Sequence, residues 1–136
     1  MDRFDSIPET ALQWHREGKG AALATVVQTW GSAPRPVGAL LAVSGDGRME
    51  GSVSGGCVEG AVVAEAFEVM ESGESRLLTY GVSDDDAFAV GLACGGTIRI
   101  MVRPVGEKGI PDDVLERLVA ARALPAEERQ RATANL

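Results

Sequence analysis

Arg48-Met49-Glu50-Gly51-Ser52-Val53-Ser54-Gly55-Gly56-Cys57-Val58 is the stretch that settles the architecture. Arg48 to Val53 reads as a strand, and Ser54-Gly55-Gly56-Cys57 as a glycine turn opening into a helix. Past the turn, Val58, Val62, Ala66 and Val69 recur at helical spacing on one apolar face, while Glu65, Glu68 and Glu71 fall toward water. Gly73 is the natural C-terminal stop, because glycine takes the left-handed conformation that ends a helix. A strand feeding a helix through a tight glycine turn is α/β grammar.

Working backwards, Gly45-Asp46-Gly47 is a hairpin turn joining Arg48–Val53 to a strand over Ala39 to Val43. Before that lies Trp30-Gly31-Ser32-Ala33-Pro34-Arg35-Pro36-Val37-Gly38, too rich in glycine and proline for regular structure. Ala21 to Thr29 is a short apolar run with the character of a buried strand. Ser6-Ile7-Pro8-Glu9 reads as a capping box with proline in the first turn, so a helix through Leu12 and His15 ending at Gly18 or Gly20 is expected.

Working forwards, Arg76 to Tyr80 is a short strand followed by the loop Gly81-Val82-Ser83-Asp84-Asp85-Asp86. Ile98, Ile100 and Val102 then alternate with Thr97, Arg99, Met101 and Arg103, the clearest strand of the chain. Asp112 to Ala123 is an amphipathic helix between Pro111 and Pro125. The expectation is one α/β (or α+β) domain over residues 1–125: a single mixed sheet flanked by helices, with its glycine–cysteine loops at one edge. Residues 126–136 form a charged peripheral tail.

Bulk properties narrow the function. The 136 residues are 45% hydrophobic and 24% charged, ordinary for a globular domain, and no apolar run approaches bilayer length. The N-terminus lacks the basic-then-apolar pattern of a signal peptide, which points to the cytoplasm. A net charge of −7 argues against nucleic acid as a partner. The two cysteines are expected to stay reduced in that compartment. With one remote histidine they do not supply the four ligands of a zinc site.

Both cysteines sit beside glycine pairs, Gly55-Gly56-Cys57 and Cys94-Gly95-Gly96. Glycine lets a ligand approach the main chain closely, so two open, backbone-lined sulfur sites are one reading. Two packed core thiols are the other. Cys57 opens a helix, where the macrodipole favours thiolate and the unpaired amides favour an anion. Cys94 precedes a strand, so no dipole argument extends to it. Ser52 and Ser54 add hydroxyls, with helix capping the simplest role for Ser54. Arg35, stiffened between Pro34 and Pro36, is preorganised for an anion. Asp84, Asp85 and Asp86 read as a solvated loop.

Three segments, Gly31-Ser32-Ala33-Pro34-Arg35, Gly51-Ser52-Val53-Ser54-Gly55-Gly56-Cys57-Val58-Glu59 and Gly91-Leu92-Ala93-Cys94-Gly95-Gly96, together and in this order resemble the XdhC/CoxI family. The resemblance implies an accessory factor rather than an enzyme: a chaperone that binds the molybdenum cofactor (molybdopterin) as cargo. It further implies help with sulfuration and insertion into a molybdenum hydroxylase such as xanthine dehydrogenase or carbon monoxide dehydrogenase. Cofactor contacts would come from Ser32, Arg35, Ser54, Gly55, Gly56, Cys57, Cys94, Gly95 and Gly96, with no metal held independently of the cofactor. Expected partners are the apoenzyme, a cysteine desulfurase, a separate Rossmann-domain protein and a second copy in a homodimer. Longer family members carry a Rossmann-like domain after the motif region, and this sequence has none. The competing reading is a thiol-based sulfur carrier or oxidoreductase cycling Cys57 and Cys94.

Overall fold

The computed structural model describes residues 6–30, 35–54, 58–81, 97–106 and 109–123. Eight elements follow in order: α1 (Ile7–Arg16), β1 (Ala21–Trp30), β2 (Leu40–Ser44), β3 (Met49–Gly51), α2 (Glu59–Ser72), β4 (Arg76–Gly81), β5 (Thr97–Pro104) and α3 (Asp112–Arg122). The strands form one five-stranded sheet in the order β3-β2-β1-β5-β4. The expected single sheet flanked by helices is present. Anticipated as mixed, it is antiparallel in all four of its ladders. The helical connection β3–α2–β4 joins opposite edges, so it creates no parallel neighbours.

Period-two alternation splits the side chains between two layers. Ala22, Ala24 and Val26 of β1, Leu41 and Val43 of β2, and Ile98, Ile100 and Val102 of β5 pack beneath Val58, Val62, Ala66 and Val69 of α2. The opposite face carries Ala21, Leu23 and Ala42 against Ile7, Ala11, Leu12 and Trp14 of α1 and Leu115 of α3. The small residues of β1 occupy the sheet centre, where α2 lies across β1 and β5. Each buried Val, Leu or Ile contributes about 1.5–3 kcal/mol relative to exposure, so these two clusters hold the three layers together.

Most element ends fall close to their expected places. Gly73 caps α2 in the left-handed conformation, φ 77°, its N–H donating to Val69 O at 2.8 Å. Gly18, φ 76°, follows the last turn of α1. Two expectations need correction. Ser6 is the N-cap of α1 but makes no side-chain capping bond. Glu9, expected to reach back to it, instead accepts from Arg122 Nε of α3 at 2.7 Å. The partner strand expected over Arg48 to Val53 is only three residues long. It stops at Gly51, where φ turns to 98°. Ser52 N–H still donates to Leu40 O at 3.0 Å, and the next backbone donors go to a side chain of α2, described with the site below.

The hairpin turn at 45–47 is present, closed by Ser44 N–H to Arg48 O at 2.8 Å. Asp46 there accepts from the Ser44 hydroxyl and from Arg48, which together hold its carboxyl down to about 2 against opposing desolvation. Arg48 also lies over the Trp14 ring, 5.2 Å from its centroid, tying the hairpin to α1. His15 faces Asp112 at 3.5 Å, an α1–α3 contact away from either cysteine segment in sequence. Among the described residues no helix is long and apolar enough to cross a membrane.

Candidate functional site

Strand register brings the three glycine-rich segments to one end of the sheet. Trp30, the last residue of β1, pairs with Thr97, the first of β5. Thr97 also pairs with Gly81, the last of β4. On the other side, Thr25 of β1 pairs with Leu40 at the start of β2, and Leu41 pairs with Gly51 at the end of β3. The flanks of residues 31–34, 55–57 and 82–96 therefore all lie toward this end, staggered along it: Leu40 and Gly51 stand level with Thr25 and Ala24 of β1, while Gly81 and Thr97 stand level with Trp30. That juxtaposition is a consequence of antiparallel pairing and could not be read from spacing.

Of the expected site residues, Arg35 and Ser54 are described. Ser32, Gly55, Gly56, Cys57, Cys94, Gly95 and Gly96 lie outside the described residues, as does the Asp84–Asp86 loop. Arg35 is half-buried at the start of a short return toward β2. The return is fixed by Ala39 N–H to Pro36 O (3.1 Å) and by Gly38 N–H to Val26 O (2.8 Å). Arg35 thus sits on a braced connection between the central strand β1 and its neighbour β2.

The organising residue of the second segment is Glu59, which closes that motif but is not among the expected site residues. Glu59, the first residue of α2, is only 6% exposed, and its carboxylate folds back over the preceding turn. Its Oε2 accepts from Ser52 Oγ at 2.8 Å and from the backbone N–H of Val53 and of Ser54, each at 2.9 Å. Its Oε1 accepts from the Ser54 hydroxyl. Ser54 Oγ in turn accepts from Val58 N–H at 2.9 Å. Here the missing half of β3 is accounted for: the amides of Val53 and Ser54 serve a carboxylate instead of a ladder.

Burial alone would push the Glu59 carboxyl up. The bonds from the Ser54 and Ser52 hydroxyls and the Ser54 and Val53 amides outweigh it, holding the pKa to about 2. The group is a carboxylate at any ordinary pH. A negative charge at the first helical position also suits the positive end of the α2 dipole. Two signals in the sequence could have found it. Glu59 stands two residues past the glycine pair and cysteine, and it directly follows Val58 of the buried face.

The arrangement offers a braced arginine, a helix N-terminus and two glycine-flanked thiol segments whose anchors share one sheet end. Residues 14–81 match the model of the XdhC and CoxI family. The chain belongs to that family. It is 44% identical over 99 residues to the molybdenum cofactor insertion chaperone PaoD of Escherichia coli (strain K12), an alignment covering 73% of this chain and 31% of that protein. A probable xanthine dehydrogenase subunit of Bacillus subtilis (strain 168) is 34% identical over 102 residues, covering 74% of this chain and 30% of its own length. The chain therefore spans about a third of these relatives. A crystal structure of a xanthine dehydrogenase from Bacillus halodurans superposes with TM-score 0.67 at 28% identity, over 83% of this chain and 34% of that one.

Proposed function

We propose that this chain is the motif-bearing part of a maturation factor for molybdenum hydroxylases, and that it holds the molybdenum cofactor as cargo for delivery to an apoenzyme. The observation that carries the reading is the common sheet end of the three glycine segments, with the N-terminus of α2 starting there. The cargo presents a phosphate and a soft metal–sulfur centre. Arg35 and the α2 N-terminus suit the anionic part, and the thiols of Cys57 and Cys94 suit the soft part. Gly55, Gly56, Gly95 and Gly96 would let the main chain approach the pterin closely, and Ser32 would add a hydroxyl donor. Ser54, fully buried, serves the site through the turn it holds. The family and the names of its relatives support the same reading.

Assistance with sulfuration and insertion is the finer part of the proposal, with a cytoplasmic apo-hydroxylase as recipient and a cysteine desulfurase as sulfur source. A small domain with loops at one sheet end encloses a labile ligand poorly, since burial needs a concave site. A second surface would cover it: a homodimer mate, a Rossmann-domain protein or the apoenzyme itself.

Cys57→Ala should lower retention of molybdenum cofactor about tenfold or more, a loss of about 1.4 kcal/mol or greater. Cys94→Ala should cost a similar or smaller factor. Both proteins would be loaded with cofactor released from a purified molybdenum hydroxylase, and retained molybdenum measured after gel filtration. Alkylation of Cys57 should slow when cofactor is present. Equal retention by Cys57→Ala, with no protection of the thiol, would defeat the reading. Persulfide turnover at Cys57 without cofactor binding would establish the sulfur carrier instead.

A further inference from the structure

Four donors spread over three consecutive residues converge on one side chain that lies across a turn from them. Ser52 Oγ, Val53 N, Ser54 N and Ser54 Oγ all donate to Glu59, and Ser54 Oγ passes the link on to Val58 N. Residues 54 and 58, the two flanks of Gly55-Gly56-Cys57, are thereby joined to each other and to the start of α2. Ser54 is 0% exposed and Val58 2%, and Val53, Val58 and Val62 belong to one apolar cluster. The knot is therefore rooted in the core rather than floating at the surface.

A plain helix cap needs less than this. An N-cap serine or aspartate satisfies one or two orphan amides. Here the carboxylate's bonds run backwards, to the strand side of the turn. What they fix is the path by which the chain leaves β3, and hence where the glycine pair and cysteine begin and end. Gly55 and Gly56 carry no Cβ to restrict them, so two adjacent glycines lose more backbone freedom on ordering than any other pair. A clamp on both flanks removes part of that cost before a ligand arrives.

We infer that Glu59 is a positioning residue: its carboxylate fixes the flanks of Gly55-Gly56-Cys57, Ser52–Ser54 directly and Val58 through Ser54, and so supports retention of cargo without itself touching it. The role in cargo retention rests on the maturation-factor reading; the hold on the turn does not.

Glu59→Gln keeps the size of the side chain but removes the charge and turns one of its two acceptor oxygens into a donor facing donors. Amide hydrogen exchange separates local release from general weakening. Ala66 and Val69, in the body of α2, report the change shared by the whole domain. Val53, Ser54 and Val58 should accelerate by about a further tenfold. In the same protein, retention of molybdenum cofactor released from a purified hydroxylase should fall about tenfold while circular dichroism keeps its folded form. Ser54→Ala removes the Val58 link but leaves the three Oε2 bonds, so it should give a smaller loss of both kinds. It also stands in should Glu59→Gln fail to fold.

Exchange at Val53, Ser54 and Val58 that merely follows Ala66 and Val69 would overturn the inference. So would full retention by a folded Glu59→Gln whose turn amides are released. If the unaltered protein itself retains no cofactor, the maturation reading falls. The selective exchange result then still decides whether Glu59 holds the turn.

Discussion

Gly51→Ala is expected to cost the domain about 4 kcal/mol, a large part of the stability that a single domain commands. Two separate costs add. Gly51 holds φ 98°, a backbone conformation that residues with a Cβ rarely adopt. A Cβ there would also lie 2.3 Å from Leu40 O and 2.9 Å from Ile7 Cδ1. Ile7 can turn aside, but Leu40 O cannot retreat without losing the bond it accepts from Ser52 N–H at 3.0 Å. That bond is the last rung before the Glu59-bound turn, so the damage reaches the site. A urea melt of Gly51→Ala against the unaltered protein measures the loss. Gly60→Ala is the control: Gly60 lies in the first turn of α2, where an added Cβ would meet nothing within 4 Å, so alanine should be neutral or stabilise by up to about 1 kcal/mol. A Gly51→Ala protein within about 1 kcal/mol of the original would contradict the geometry.

What the sequence could disclose depended on the range of the interaction concerned. The alternation Ile98, Ile100, Val102 and the helical face Val58, Val62, Ala66, Val69 express period alone, and both lie where expected. Gly73 was legible for a similar reason, since ending a helix is a local backbone matter. The Ser6–Glu9 pair shows the limit. Its spacing fits a capping box, yet Arg122, distant in sequence, takes the Glu9 carboxylate. The ending of β3 shows it again. Apart from Gly51, nothing between Arg48 and Val53 disfavours a strand, but a carboxylate from the following helix claims the amides of Val53 and Ser54. For the candidate site, the motif residues marked three segments without revealing that their flanks lie toward one end of the sheet. That came from strand order and register, which depend on contacts between β1, β2, β4 and β5 far apart in the chain.

Glu59→Gln should open a stability gap at neutral pH that closes on acidification. In the folded protein the Glu59 carboxyl titrates at about 2, below its ordinary value of 4.5. The folded state thus binds this proton later than the unfolded chain does, and the ionised group favours folding. Its contribution is fully present above about pH 4.5 and is lost progressively as the pH falls toward 2. The size follows from that difference, about 3 kcal/mol at pH 7. By the usual scaling for a domain of this size, that lowers the melting temperature by about 10 °C. Glutamine stands in for the protonated acid, so near pH 2 the two proteins should melt together. Asp46, also held at about 2, leaves an acid-dependent slope in both proteins and cancels in the comparison. Melting curves of the pair from pH 7 down to the lowest pH at which both refold give the answer. The absence of a gap at every pH would mean that the turn depends on the shape of the Glu59 side chain and not on its charge. Glu59→Gln should then also leave the exchange of the Val53 and Ser54 amides close to that of the original protein.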